Sequence, residues 1–301
     1  MSTRLESLPL LHAWPVKAGL AESPHWIAAT ATLVWVDIVR PSVNILDPDT
    51  GENRETLVVA KIGSASATAS GGLLAALERE LWLGDAAAEL RRFKVPAMDG
   101  THFNDGKCDP AGRFWVGSRS SDGTLGKGSL YRLDAAGDLR VMASGFDVCN
   151  GLGWSPNGAT FYLVDTVPRL LYRYDFDVAS GELSNRSIVQ DFAGIPGKPD
   201  GLAIDAKGRI WCAMWDGAGI AILASNGEQL GWLETPCPRP TSCAFGGDEG
   251  RTLFITTAAH GLSVDDRAFG ASGSILAFLA PDAGAPVASY GAPVPTRHWG
   301  R

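Results

Sequence analysis

One turn-then-strand pattern recurs six times along this chain, and that recurrence constrains the fold more than any other feature. Asp109-Pro110-Ala111-Gly112-Arg113-Phe114-Trp115-Val116-Gly117 reads as a turn followed by a strand. Ser155-Pro156-Asn157-Gly158-Ala159-Thr160-Phe161-Tyr162-Leu163 and Asp205-Ala206-Lys207-Gly208-Arg209-Ile210-Trp211-Cys212-Ala213 repeat it. Weaker copies lie at 247–256 and 28–37, and the most degraded one at 69–77. Counted from the first apolar residue of each strand, the copies begin at Leu33, Leu73, Phe114, Phe161, Ile210 and Leu253, at intervals of 40, 41, 47, 49 and 43 residues. A period of about 40–50 residues, with several short strands per unit, is the signature of a β-propeller blade. Runs such as 128–134 and 169–175 supply further strands between the copies. The expectation is therefore an all-β, six-bladed β-propeller forming a single domain over 1–301, with short extensions at both ends.

Composition agrees and removes several function classes. Of the 301 residues 45% are apolar and 20% charged, the balance of a globular protein with a sizeable core. The net charge of −7, with no cluster of Lys and Arg, argues against a nucleic-acid partner. No run approaches the length of a membrane span, and the N-terminus lacks a continuous apolar segment, so no membrane partner and a cytoplasmic location are expected. Cys108, Cys149, Cys212, Cys237 and Cys243 include no Cys-x-x-Cys pair and read as buried thiols in a reducing compartment. A Ser/His/Asp hydrolase is disfavoured, because the chain has no Gly-x-Ser-x-Gly and its five histidines show no paired spacing. His25 and His260 read as blade-packing or loop residues.

In a propeller, equivalent positions of every blade meet around one central channel. About one turn ahead of the repeated strands, 10 to 11 residues before their first apolar residue, stand Glu22, Asn104, Asn150, Asp200 and Ser242, while the copy at Leu73 has only Ile62 and Gly63. Taken singly, Asn150-Gly151 and Asp200-Gly201 are ordinary turn dipeptides, and Glu22 before Ser23-Pro24 reads as an exposed turn acid. Taken together, they gather carboxylates and amide oxygens at one end of the axis. Such a donor set suits a divalent cation with open coordination positions, able to polarise a carbonyl and acidify water. Asp105 reads equally as an acid behind this group or as a turn cap.

The residues that carry these positions resemble the SMP-30/gluconolactonase/regucalcin family of sugar lactonases. The matching stretches are 21–26, 103–113, 150–155, 199–205 and 241–247, in order and spread over most of the chain. The resemblance implies Glu22, Asn150 and Asp200 as ligands of one divalent metal, with calcium, zinc, manganese and iron(II) all used among relatives. It implies a small sugar lactone as the substrate, hydrolysed to the aldonic acid, and substrate contacts from Asn104, His102 and Asp122. His102 stands where many relatives carry Arg, and the alignment of Asp122 is blurred by the Ser-rich loop 118–124. Asp200 is the expected catalytic base as well as a ligand. Residues 85 to 92 hint at helix, although the family pattern favours strand there. A metal-dependent esterase or phosphotriesterase of the same fold, or a non-catalytic calcium-binding propeller, is the alternative. The protein is expected to be a monomer or a small homo-oligomer.

Overall fold

The computed structural model describes residue 5 and residues 8–85, 88–95, 100–263 and 270–291. It contains 24 strands among the described residues, numbered β1 to β24 in chain order, and one 3-10 turn at Phe192–Gly194. The strands form six four-stranded antiparallel sheets arranged as blades around an axis. The innermost strands are β2 (Ala21–Ile27), β6 (Ile62–Ala67), β10 (Thr101–Cys108), β14 (Cys149–Trp154), β18 (Lys198–Ile204) and β22 (Pro240–Gly246). The repeated apolar runs are the second strands: β3 (Thr32–Asp37), β7 (Leu73–Leu77), β11 (Phe114–Ser120), β15 (Thr160–Asp165), β19 (Ile210–Trp215) and β23 (Thr252–Thr257). The sixth blade is completed by β24 (Ile275–Leu279) and, on its outer edge, by β1 (Leu10–Trp14). The two ends of the chain thus share one sheet and close the ring.

The second strands are largely apolar because each blade is buried on both faces. Six hydrophobic clusters lie between consecutive blades, and each second strand feeds two of them by alternation. Leu33 and Trp35 pack toward the sixth blade, whereas Val34 and Val36 pack toward the second. Trp211 and Ala213 face one way, Ile210, Cys212 and Met214 the other. The turns ahead of these strands are built by the repeated Asp. Asp109 Oδ1 accepts from the Ala111 and Arg113 amides, and its Oδ2 accepts from Arg113 Nε at 2.6 Å and Trp115 Nε1 at 2.9 Å. Asp205 repeats this with Lys207, Arg209 and Trp211. Gly112 and Gly208 supply the left-handed corner at φ +75° and +77°.

Local signals for a helix and for turns give way to strands, as the family pattern favours for 85 to 92. Residues 88 to 92 belong to strand β9 (Ala88–Lys94), not to a helical turn, while 86 and 87 lie outside the described residues. Asn104-Asp105-Gly106, Asn150-Gly151 and Asp200-Gly201 are not turns; all lie within innermost strands. Their glycines have no left-handed backbone. They are needed because neighbouring blades converge: a Cβ on Gly151 would sit 2.3 Å from the Asp200 carbonyl oxygen, and one on Gly201 would sit 2.0 Å from Ser242 Oγ. No described helix is long and apolar enough to cross a membrane.

Candidate active site

Each innermost strand carries a register irregularity where the polar residues stand. The shifts fall between Glu22 and His25, Phe103 and Gly106, Cys149 and Leu152, and Pro199 and Leu202. A bulge of this kind breaks the strict in–out alternation of a strand and re-aims a side chain. Here it accompanies a set of polar side chains brought together at one end of the channel. Ser23, directly after Glu22, holds φ +49° while buried, a strained backbone at a position with a Cβ.

Asn150 and Asp200 meet across the fourth and fifth blades, Asn150 Nδ2 donating to Asp200 Oδ1 at 2.5 Å and to Thr166 Oγ1 at 3.0 Å. With both contacts made by the amide nitrogen, Asn150 Oδ1 is left buried and without a hydrogen-bond partner. Glu22 Oε2 accepts from the Ser23 amide at 3.0 Å. Asp105 Oδ1 accepts from the Gly106 amide at 2.8 Å, and its Oδ2 is buried and unpartnered. Asn104 is partly exposed and donates from Nδ2 to the Cys149 carbonyl at 3.2 Å.

Electrostatics bind these groups into one unit. Burial and the nearby charges of Asp200 and Asp105 push the Glu22 carboxyl well above the usual carboxylate range. Asp200 is raised to about 8, first by burial and then by Asp105, against the opposing pull of Asn150 and Arg119. Asp105 is raised by burial despite Lys107. Lys107 Nζ donates to the Leu202 carbonyl at 2.7 Å. Its ammonium is lowered by burial and supported by Asp105. Ionised together, the three buried carboxylates would outnumber the one ammonium by two charges, and in the metal-free protein their carboxyls hold on to their protons instead. Two such carboxylates beside an orphaned amide oxygen fit a divalent cation, because the cation removes the repulsion and occupies the free lone pair. Among the described residues no three His, Cys, Asp or Glu side chains form a metal-holding group. Glu22 and Asp200 are two carboxylates, and the third donor is the Asn150 amide.

The family model described as SMP-30/Gluconolactonase/LRE-like region matches residues 20–259. The chain belongs to that family. Among curated relatives, it is 36% identical to the 6-deoxy-6-sulfogluconolactonase of Pseudomonas putida, over 83% of this chain and 87% of the relative. It is 35% identical to a pentonolactonase of Haloferax volcanii, over 79% and 81%. The fold matches a structure described as a calcium-binding protein, regucalcin, from Agrobacterium tumefaciens at TM-score 0.84 and 24% identity, covering 96% of this chain and 98% of that one. A structure described as luciferin-regenerating enzyme matches at TM-score 0.82 and 27% identity, covering 91% and 96%.

Within this SMP-30/gluconolactonase-like chain, the remaining expected residues lie on the third blade. His102 is on β10, with Nδ1 3.0 Å from Ser121 Oγ, and burial together with Arg119 and Lys61 lowers it to about 4, so it is neutral at pH 7. Asp122 is exposed in the loop after β11, its Oδ1 accepting from Ser120 Oγ and from the amide and hydroxyl of Thr124. Those hydrogen bonds hold its carboxyl well below the usual range. Thr166, Lys107 and Arg119 were not legible as site residues. Thr166 and Arg119 come from a loop and a second strand whose sequences repeat no polar pattern, and Lys107, on β10 with Asn104, shows its reach to the Leu202 carbonyl only in the folded channel. A cavity of about 300 Å³ lies among the far ends of the inner strands, with Trp26, Lys107, Trp154 and Phe245 in its walls, and none of Glu22, Asn104, Asn150 and Asp200 lines it. His25, also in its wall, is buried and lowered to about 4 by burial and Lys107.

Proposed function

We propose that the protein hydrolyses a sugar lactone to the corresponding aldonic acid, with one divalent cation held by Glu22, Asn150 and Asp200. The observation that carries this reading is the meeting of two buried carboxylates with the unpartnered Asn150 Oδ1. When bound, the cation supplies Lewis acidity to the lactone carbonyl and to water. The protein's own groups supply the rest. Asp200 Oδ1 is engaged by Asn150, which leaves Oδ2 to take the proton of the attacking water. Thr166 fixes the Asn150 amide so that its oxygen points away from its hydrogen-bond partners. Asn104, tied to the Cys149 carbonyl through Nδ2, keeps Oδ1 for a sugar hydroxyl. Neutral His102 can exchange hydrogen bonds with a second hydroxyl, and Asp122 offers its second oxygen at the rim. The relatives named as lactonases support the reaction class.

The test is to strip the protein with chelator, add back single divalent cations, and follow acid release from xylono-, arabinono-, galactono- and gluconolactone beside a panel of aryl esters. Cation-dependent acid release from lactones is expected. Turnover of the aryl esters alone would favour an esterase, and no turnover of any lactone would overturn the proposal.

A further inference from the structure

The mouth of the site carries cations that the hydrolytic chemistry leaves unused. Arg119 lies directly opposite His102 in the β10–β11 pair, so the two side chains share one face of the third blade. An isolated bridge joins Arg119 also to Val148, two residues before Asn150. The backbone of Arg119 is therefore held between the strands that bear Asn104 and Asn150. Its charge acts on both Asp200 and His102, and Lys61 acts on His102 as well. Both cations are exposed, and neither has an ion-pair partner among the described residues. The rim carboxylate Asp122 is taken up with Ser120, Thr124 and the charge of Lys127. Arg119 is set apart from the chain's other exposed cations by its place opposite His102 on the strand next to the one bearing Asn104. Sugar hydroxyls are met by neutral groups such as Asn104 and His102. A cation without an ion-pair partner, carried on a backbone held at the site, recognises an anion.

We infer that Arg119, together with Lys61, selects lactones that carry a negatively charged substituent, a carboxylate, sulfonate or phosphate placed away from the reacting carbonyl. The inference rests on the lactonase reading and names the substrate class for it. A guanidinium presents two parallel N–H donors to such an oxyanion, whereas the lysine adds a point charge.

The experiment compares kcat/KM for gluconolactone with that for the same lactone bearing a terminal carboxylate, sulfonate or phosphate, in wild type, Arg119→Met and Arg119→Lys. The wild type is expected to favour at least one charged lactone. Arg119→Met is expected to lower the charged-to-neutral ratio by about tenfold or more, the scale of a hydrogen bond to a charged group. Arg119→Lys should recover part of it, and added salt should narrow the wild-type preference. A wild type that prefers the neutral lactone, or a ratio unmoved by Arg119→Met, would overturn the inference. If no lactone is turned over, the lactonase reading fails, and calorimetric titration with the open-chain acids in calcium buffer decides this inference separately. Tighter binding of the acids bearing the extra charge, lost in Arg119→Met, would sustain it, and equal binding would overturn it.

Discussion

Asp200 and Glu22 repel each other when ionised in a buried channel, which makes the stability of the metal-free protein depend on pH in a definite direction. Asp200 moves from 3.8 to about 8 on folding, and Glu22 also moves up. The folded chain therefore keeps protons that the unfolded chain has released. The stability these groups contribute is complete below pH 3.8 and is lost as pH rises through about 8. Chelated protein followed by scanning calorimetry should show an Asp200-dependent fall in Tm toward the alkaline end, shallower in Asp200→Asn. Calcium should raise Tm most at that alkaline end, because the cation replaces the protons. Identical slopes for wild type and Asp200→Asn would refute the assignment. The same variant should lose about a hundredfold or more in kcat/KM, the scale of a displaced general base. The convergence of Glu22, Asn150 and Asp200 was legible because the apolar strands after them set a common phase. Lys107 was not, because only the folded channel shows that its ammonium reaches the Leu202 carbonyl 95 residues away.

The individual strands separate what the repeats are for. The Asp-x-x-Gly-Arg turn is a structural device, since Asp109 is fully buried and spends both oxygens on Arg113, Trp115 and the turn amides. Asp109→Ala leaves Arg113 and Trp115 Nε1 without their partner, and should cost about 3 kcal/mol or more in urea unfolding. The cation affinity of the protein that remains folded should stay unchanged; a selective loss of affinity would give the turn a functional role. The inner strands behave in the opposite way. Gly151 looks like half of a turn dipeptide in the sequence, yet its missing Cβ is what lets β14 approach the Asp200 backbone. Gly151→Ala should cost about 1–3 kcal/mol and weaken cation binding together. Gly194→Ala, where a Cβ meets open space, should change stability by less than about 0.5 kcal/mol. Equal effects from the two substitutions would mean that blade convergence is not what the glycine serves. This is why the same dipeptides, taken singly, read as turns. Asn-Gly and Asp-Gly carry the same letters for a corner and for a close approach, and only the neighbouring blade distinguishes them.

At the scale of the whole ring, blade number followed from the period, but the closure did not. β1 contributes Leu10, His12, Ala13 and Trp14 to a sheet whose other strands come from the far end of the chain, pairing Leu10 with Phe278 and Trp14 with Ile275. Nothing in a five-residue strand of mixed exposure announces a partner so distant in sequence. Its position has a consequence for the site. Glu22 belongs to the first blade and Asp200 to the fifth, and the sixth blade stands between them in the ring. Trp14 packs with Phe254 of the sixth blade in a cluster that also holds Leu33 and Trp35 of the first. Removing residues 1–14 deletes the outer strand of the sixth blade and exposes the edge of β24, a site prone to pairing with other chains. The truncated protein should therefore show a Tm lower by about 5 °C or more and a weaker affinity for calcium, even though every proposed ligand is retained. A synthetic peptide spanning residues 8–18, added in excess, should restore both by pairing with β24. Full calcium affinity in the truncated chain without peptide would show that the first and fifth blades are held together without this strand. Recovery of affinity and Tm in parallel would tie assembly of the ring to assembly of the site.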